Sequence, residues 1–303
     1  MTESIIELSH FGKRYREVWA VKDLSFEVKT GEIFALLGPN GAGKTTTLES
    51  MEGIRSFDSG AIRVCGLDPL HDARKLSRRV GIQLQTQGLP NAMTIQEAIL
   101  FMAAYHRSAP DRELAFRLGL GEKLNVPFGD LSTGYQRRLM LCLAGAHNPE
   151  VIFLDEPTAG LDVETRDILH GLIREWKARG KTLILATHDM AEAEKLADRA
   201  LVIIRGRRAA CASPRELTAQ GNILTKVSLV TKNDSLLAHP PQIPSSGAGV
   251  VDDRALHYRT SDPGECVKRI VEFVQHNGDA LEDLRVERPS LEERFLELVK
   301  EAI

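Results

Sequence analysis

Nine consecutive residues restrict this chain to a narrow set of folds. Gly38-Pro39-Asn40-Gly41-Ala42-Gly43-Lys44-Thr45-Thr46 satisfies G-x-x-x-x-G-K-[ST]. Gly38, Gly41 and Gly43 let a backbone turn tightly and bring its N–H groups against phosphate oxygens. A helix opening near Lys44 aims its unpaired N–H groups and positive dipole end at the same anion. Lys44 adds a mobile positive charge for the terminal phosphates, and the Thr45 hydroxyl can ligate Mg2+. The preceding run Ile33-Phe34-Ala35-Leu36-Leu37 reads as a buried strand. Strand, glycine-rich loop and helix together predict a nucleotide phosphate site in an α/β domain.

A second stretch carries acidic chemistry. Val151-Ile152-Phe153-Leu154 reads as a parallel strand buried on both faces, and it ends at Asp155-Glu156. Sheets of this class place ligands beyond the carboxyl ends of their strands. Two carboxylates there are costly unless they pair or coordinate. Beside a phosphate loop, the expected roles are Mg2+ coordination and activation of water. Residues 182–186 form another apolar run, ending at Thr187-His188-Asp189, and its end is expected beside Asp155 and Glu156.

The remaining pattern fills in the architecture. Residues 4–10 and 22–28 read as an antiparallel pair, with Leu24, Phe26 and Val28 alternating with polar residues. Tyr15 lies between them and is either a packed aromatic or a face for stacking a base. A strand over 60–64, a helix over 70–78 and a strand from Val80 to Gln85 follow. Thr94 and Glu97 form a capping box for a helix carrying Ile95, Ala98, Ile99 and Met102, and a second helix covers 111–118. With no strand signal from about 90 to 148, this reads as a helical insertion. Ser132 is a good N-cap for the helix after it. Asp162 caps a helix with Leu169, Leu172, Ile173 and Trp176 on one face and Gly180 as its stop, and residues 200–204 give one more strand.

The pattern changes after that. Strands over 224–231, 255–260 and 280–287 flank a Pro/Ser/Gly-rich stretch at 240–249. One helix has an apolar face of Val267, Ile270, Val271 and Val274. Ser290 and Glu293 open a last helix bearing Leu291, Phe295 and Leu298. The expected division is a domain over 1–220, with its helical part at about 86–148, and a small α+β domain over 221–303.

Composition narrows the partners. The 303 residues carry a net charge of −3, with 43% hydrophobic and 27% charged residues. No basic excess marks a nucleic-acid surface, so no nucleic-acid partner is expected. Cys65, Cys142, Cys211 and Cys266 are scattered without a C-x-x-C, which points to a reducing compartment and away from zinc. No signal peptide is read, and no apolar run approaches the ~20 residues that span a bilayer. A membrane role would have to come from another chain.

Taken together, the motifs resemble the ATP-binding subunits of ABC transporters over nearly the whole chain. Gly38 to Thr46 looks like Walker A, and Leu154-Asp155-Glu156 ends what looks like Walker B. Leu131-Ser132-Thr133-Gly134-Tyr135 sits where the family has its LSGGQ signature. Thr133 and Tyr135 depart from that pattern, while Ser132 and Gly134 keep the hydroxyl and the close-approach glycine. Gln85 matches the Q-loop glutamine, Ala159-Gly160-Leu161-Asp162 the D-loop, His188 the H-loop histidine and Tyr15 the adenine-stacking aromatic.

The resemblance implies a P-loop NTPase cassette with a RecA-like core, an antiparallel β subdomain and a helical subdomain. It implies ATP and Mg2+ as ligands, and two cassettes closing head to tail. Lys44, Thr45 and Tyr15 of one subunit and Ser132 and Gly134 of the other would hold each ATP. Asp155 and Gln85 would assist Mg2+, Glu156 would act as general base, and His188 would contact the γ-phosphate. Residues 289–296, Pro-Ser-Leu-Glu-Glu-Arg-Phe-Leu, are similar to the ending of drug-exporter ATPase subunits of the daunorubicin-resistance class. That class implies a separate transmembrane permease, a second ATP-binding subunit and a peripheral place on the cytoplasmic face of the membrane. Two other readings stand beside export: an importer subunit with a regulatory C-terminal domain, and a soluble ABC ATPase. The second is opposed by a single cassette with only 88 positions between Lys44 and Ser132.

Overall fold

The computed structural model describes residues 3–83, 88–220, 224–233, 235–238, 240–243, 246, 249–252 and 255–302. The chain divides into two compact units, Met1–Pro214 with Ala302–Ile303, and Arg215–Glu301.

In the first unit, β1 (Ser4–Tyr15) and β2 (Val18–Lys29) pair antiparallel. β3 (Ile33–Leu37) leads through the glycine-rich loop into α1 (Lys44–Met51), and β4 (Ser59–Val64) pairs with the other edge of β1. α2 (Ala73–Leu76) and β5 (Val80–Gln83) follow. The helical part comprises α3 (Ile95–His106), α4 (Arg112–Arg117) and α5 (Thr133–Gly145). Next are β6 (Val151–Asp155), α6 (Val163–Ala178), β7 (Thr182–Thr187) and α7 (Met190–Leu196). β8 (Arg199–Ile204) and β9 (Arg207–Ala212) complete the unit.

The main sheet runs β5-β6-β7-β3-β8-β9, parallel except for β9. Its pleat divides the apolar runs between two cores. Ile152, Leu154, Leu183 and Leu185 pack with Ile99, Leu139 and Leu169 of the helices. Val151, Phe153, Ile184 and Ala186 face the other way, against Leu48, Met51, Ile6, Phe26 and Ile62. Every residue of β3, β6 and β7 is buried, which is why these strands read as unbroken apolar runs. A Cβ on Gly81 would stand 1.9 Å from the Ala144 carbonyl oxygen, so only glycine lets α5 seat on β5.

In the second unit, α8 (Pro214–Ala219) begins at the division and β10 (Thr225–Thr231) and α9 (Ser235–Ala238) follow. β11 (Val250–Asp252), β12 (Ala255–Thr260), α10 (Pro263–His276), β13 (Leu281–Glu287) and α11 (Leu291–Glu301) come next. The antiparallel sheet has the order β11-β12-β10-β13. α10 buries Cys266, Ile270 and Val274 against Val227, Leu229, Leu256 and Tyr258. The class is α+β, as the sequence pattern predicts.

Several boundaries differ from expectation. β1 and β2 are each 12 residues long and continue almost to their turn. They extend past the expected 4–10 and 22–28 through Lys13 and Arg14, because a half-exposed ribbon carries charges on its solvent face without breaking its backbone pairing. The helix read over 70–78 shrinks to one turn, because Asp68 Oδ1 accepts from the N–H groups of Leu70 (3.0 Å) and His71 (3.2 Å) and holds that stretch as a turn. Both capping boxes form: Glu97 Oε2 accepts from Thr94 N–H at 2.8 Å, and Glu293 Oε2 from Ser290 N–H at 3.0 Å.

A histidine stack ties the helical part to the sheet. His106 closes α3 and His147 follows α5, with ring centroids 3.6 Å apart and planes 1° from parallel. His147 Nε2–H donates to the Val80 carbonyl at 3.0 Å. Burial, then the neighbouring His106, push the His147 imidazole down to about 4. The fold therefore favours the neutral ring, whereas an unfolded imidazole titrates near ~6.5. The stabilisation is complete above the unfolded value and is lost as pH falls through it toward the folded one. Thermal midpoints should drop between about pH 6.5 and 5, and drop less in His147→Phe, which keeps a flat ring that takes up no proton. Equal acid slopes in parent and variant would refute this.

Candidate active site

The site forms where β6, β7 and β3 end side by side. Asp155 is in register with Ala186, and Leu37 with Thr187. Three segments thus leave the sheet at one level: Glu156 after β6, His188 after β7 and the glycine-rich loop after β3. This is the adjacency that the two acidic and histidine-bearing strand ends predict.

The loop lines a cavity of about 450 Å3, together with Ala20 and Glu156. Its lining includes Pro39, Asn40, Gly41, Ala42, Gly43, Lys44, Thr45 and Thr46. Gly43 caps α1 with φ 102°, and a Cβ there would lie 2.6 Å from Val21 Cγ2 and 2.7 Å from the Ala20 carbonyl oxygen. Conformation and space both demand glycine at that point. Gly38 contributes its carbonyl, which accepts from Lys44 Nζ at 2.7 Å; the Pro39 carbonyl accepts at 3.4 Å. Lys44 is 7% exposed. Burial lowers its pKa, and the charges of Glu156 and Asp155 pull it back up.

Thr45 Oγ1–H donates to Asp155 Oδ2 at 3.2 Å. Asp155 Oδ1 is buried with no hydrogen-bond partner. Burial is the main cause that pushes this carboxyl up to about 6; Thr45 opposes the shift and Glu156 adds to it. A hydroxyl and a desolvated carboxylate with a spare oxygen form a hard-oxygen set that suits Mg2+, which retains waters and uses few carboxylates.

Glu156 is 7% exposed and sits in the left-handed region at φ 49°. That conformation costs a non-glycine residue about 1–3 kcal/mol and persists where the surroundings enforce it. Here its N–H donates to the Ala186 carbonyl at 2.9 Å, and its Oε1 lies 2.8 Å from His188 Nδ1. The twist turns the carboxylate out of the strand and into the cavity.

The other candidates lie elsewhere. Tyr15 ends β1 at 41% exposure, with Arg55 and Lys13 5.4 and 5.6 Å from its ring centroid, and it does not line the cavity. Ser132 N-caps α5 through its backbone, but its hydroxyl makes no capping bond, contrary to the simple expectation for that residue. Asp162 caps α6, accepting from Thr165 N–H at 2.8 Å and Thr165 Oγ1–H at 3.0 Å. Arg138 of α5 also donates to Thr165 Oγ1, at 2.8 Å, so the Ser132–Gly134 corner stands against the start of α6. Tyr135 fills its place between Lys123 and Arg138, 4.9 and 5.3 Å from its ring. Gln85 lies outside the described residues.

Glu52 is a buried acid that escaped sequence reasoning. Glu52, at the end of α1, has both carboxyl oxygens buried without hydrogen-bond partners, and burial, then Asp155, push it up to about 8. Nothing in its spacing from Lys44 signals this; only the fold brings it near Asp155.

Known proteins resemble this chain in sequence and in fold. The family model described as ABC transporter matches residues 21–159. A Nod factor export ATP-binding protein I from Burkholderia thailandensis is 42% identical over 223 residues, covering 72% of this chain and 73% of the relative. Its counterpart from Rhizobium johnstonii is 38% identical over 219 residues, with 70% of each chain covered. Among solved structures, an ATP-binding subunit of an ABC transporter has a TM-score of 0.68 at 26% identity, covering 72% of this chain and 93% of that one. An ABC transporter subunit from Clostridium perfringens has a TM-score of 0.63 at 28% identity, covering 72% and 92%. Sequence, fold and site geometry agree, and the chain belongs to the ATP-binding subunits of ABC transporters.

Proposed function

We propose that the chain is the ATP-hydrolysing subunit of a membrane exporter, whose substrate is of a drug, lipid or polysaccharide type. The observation that carries the reading is the meeting of three strand ends: Glu156 lines the cavity of the phosphate loop, Asp155 bonds to Thr45 of that loop, and His188 lies against Glu156. Its likeness to Nod factor export proteins supplies the direction of transport.

Two chains close head to tail around two ATP molecules. Lys44 and the loop N–H groups hold the phosphates of one ATP, and Tyr15 stacks on its adenine. Ser132 and Gly134 of the second chain cover the same phosphates, with Asp162 at the seam. A Cβ on Gly134 would meet only Thr165 side-chain atoms, at 3.7 and 3.9 Å. The chain's own packing therefore leaves room for a larger residue there, so the glycine serves an approach from outside. The Thr45 hydroxyl and the Asp155 carboxylate, with Gln85, would hold Mg2+, which offsets phosphate charge. Glu156 takes a proton from the attacking water, and His188 orients Glu156 and meets the γ-phosphate. Catalysis of this kind is positioning plus electrostatics.

Among the described residues no helix is long and apolar enough to cross a membrane. We assign membrane attachment to a separate permease, which places the chain peripherally on the cytoplasmic face. Leu100, Phe101 and Tyr105 on α3 and Phe116 on α4 are 43%, 57%, 62% and 61% exposed, a set of apolar side chains that suits such a partner. Tagged chain drawn from host membranes with ATP and Mg2+ should bring a polytopic membrane protein at about one to one. The pair Phe101→Asp and Tyr105→Asp should lose that protein while the purified chain still hydrolyses ATP. Recovery only from the soluble fraction, with ribosomal or DNA-associated partners, would overturn the transport reading.

A further inference from the structure

Behind the cavity lies a buried polar cluster that the mechanism above does not use. Thr158, His170 and Glu192 are 4%, 2% and 3% exposed. Thr158 Oγ1–H donates to Glu192 Oε1 at 2.7 Å, and His170 Nε2 lies 3.1 Å from the same oxygen. The three residues come from three segments: the turn after β6, the middle of α6 and the first turn of α7.

Glu192 occupies the third position of α7, where a glutamate ordinarily folds back to the capping residue's N–H. Only half of that exchange is present. Asp189 Oδ1 accepts from Glu192 N–H at 3.0 Å, but Asp189 N–H donates to Thr187 Oγ1 instead. The Glu192 side chain is turned inward, where a carboxylate is costly unless bonded. Both contacts converge on Oε1, while Oε2 and His170 Nδ1 are buried without a hydrogen-bond partner. A cluster that served only to satisfy buried groups would use both oxygens. This one makes a single meeting point of three segments.

Two of those segments carry the reacting groups. Thr158 stands two residues after Glu156, and Glu192 one helical turn after His188. Glu156 Oε1 and His188 Nδ1 meet at 2.8 Å on the cavity side. The Thr158–Glu192 bond joins the same two segments from behind, and His170 anchors both to α6, whose cap is Asp162. We infer that Thr158, Glu192 and His170 form a positioning clamp that sets the spacing of Glu156 and His188 and so the aim of the base. The inference rests on the role given to Glu156 above.

None of the three clamp residues belongs to the phosphate loop or lines the cavity. Its loss should therefore act on turnover and not on nucleotide binding. Thr158→Val keeps the shape and removes the donor; Glu192→Gln keeps the shape and removes the charge. In the full-length chain each should lower kcat by about tenfold or more, with KM for ATP within about twofold, since small displacements of reacting groups carry large rate costs. Thr158→Ser restores the hydroxyl and should recover the parental kcat. The imidazole 15N signals of His188 should shift in Thr158→Val and return in Thr158→Ser, which a general loss of packing would not produce. A parental kcat in a folded Thr158→Val would overturn the clamp. So would kcat and KM worsening together without recovery in Thr158→Ser. Glu156→Gln separates the two claims: a parental rate there sinks the base assignment, whereas a lost rate there with a parental rate in Thr158→Val sinks the clamp alone.

Discussion

Replacing Glu156 with glutamine is expected to stop ATP turnover while leaving ATP bound and two chains closed around it. The amide has the shape of the carboxylate but cannot take a proton from water, and losing a positioned general base costs about 10²–10⁴ in rate. The binding apparatus is separate. Lys44 is held by the carbonyls of Gly38 and Pro39 and Thr45 by Asp155, while the close polar partner of Glu156 is His188 at 2.8 Å. The left-handed backbone at φ 49° is shared by the variant, since glutamine and glutamate meet the same steric limits there. With ATP and Mg2+, the variant should elute as a dimer in size-exclusion chromatography. Adding Gly134→Asp should return it to a monomer, because the side chain would enter the space that the partner's nucleotide needs and would carry a charge of the same sign. Parental turnover in Glu156→Gln would remove it as the base. A dimer that persists in the double variant would remove the signature corner from the interface.

The sequence carried most of what lies along single segments. β3, β6 and β7 are legible because both sheet faces are covered, which leaves unbroken apolar runs. The glycine-rich loop is legible because Gly43 answers to a backbone requirement that no other residue meets. The caps at Thr94, Asp162 and Ser290 are local and were read locally. What escaped depends on distant residues meeting. Thr158, His170 and Glu192 look ordinary one by one, and each sits on an element whose local pattern already accounts for it. Glu52 reads as a solvated acid until α1 is seated beside β6. Ser132 shows the opposite failure: its type predicts a capping hydroxyl, but the exposed side chain leaves the helix N–H groups alone. The proposed head-to-tail closure gives Ser132 a role on a second chain in place of the local one, and Gly134, two residues on, has no need of being glycine within its own chain. Such positions are legible from a resemblance and not from propensity.

Lys44→Ala should fail earlier than Glu156→Gln, at binding itself. The ammonium is 7% exposed and donates to the carbonyls of Gly38 and Pro39 at 2.7 and 3.4 Å, so it holds the loop's own backbone. Two buried carboxylates, Asp155 and Glu156, stand close enough to raise its pKa against the pull of burial. Alanine removes the cation that offsets them, and the cavity then turns a net negative face to a polyanion. A hydrogen bond to a charged group contributes about 1.5–3 kcal/mol, which corresponds to roughly 10- to 150-fold in affinity. Titration of the purified variant with a fluorescent ATP analogue should show a loss of that order, and no ATP-dependent dimer should form. Lys44→Arg should not recover binding, because the planar guanidinium is too large to sit 2.7 Å from the Gly38 carbonyl and still reach into the cavity. The two variants divide the site by its physics. Glu156→Gln keeps the cation of the cradle and loses a proton acceptor; Lys44→Ala keeps the acceptor and loses the cation. Parental affinity in Lys44→Ala would mean that the phosphates lie somewhere other than this loop, and every role assigned around it would fall with that result.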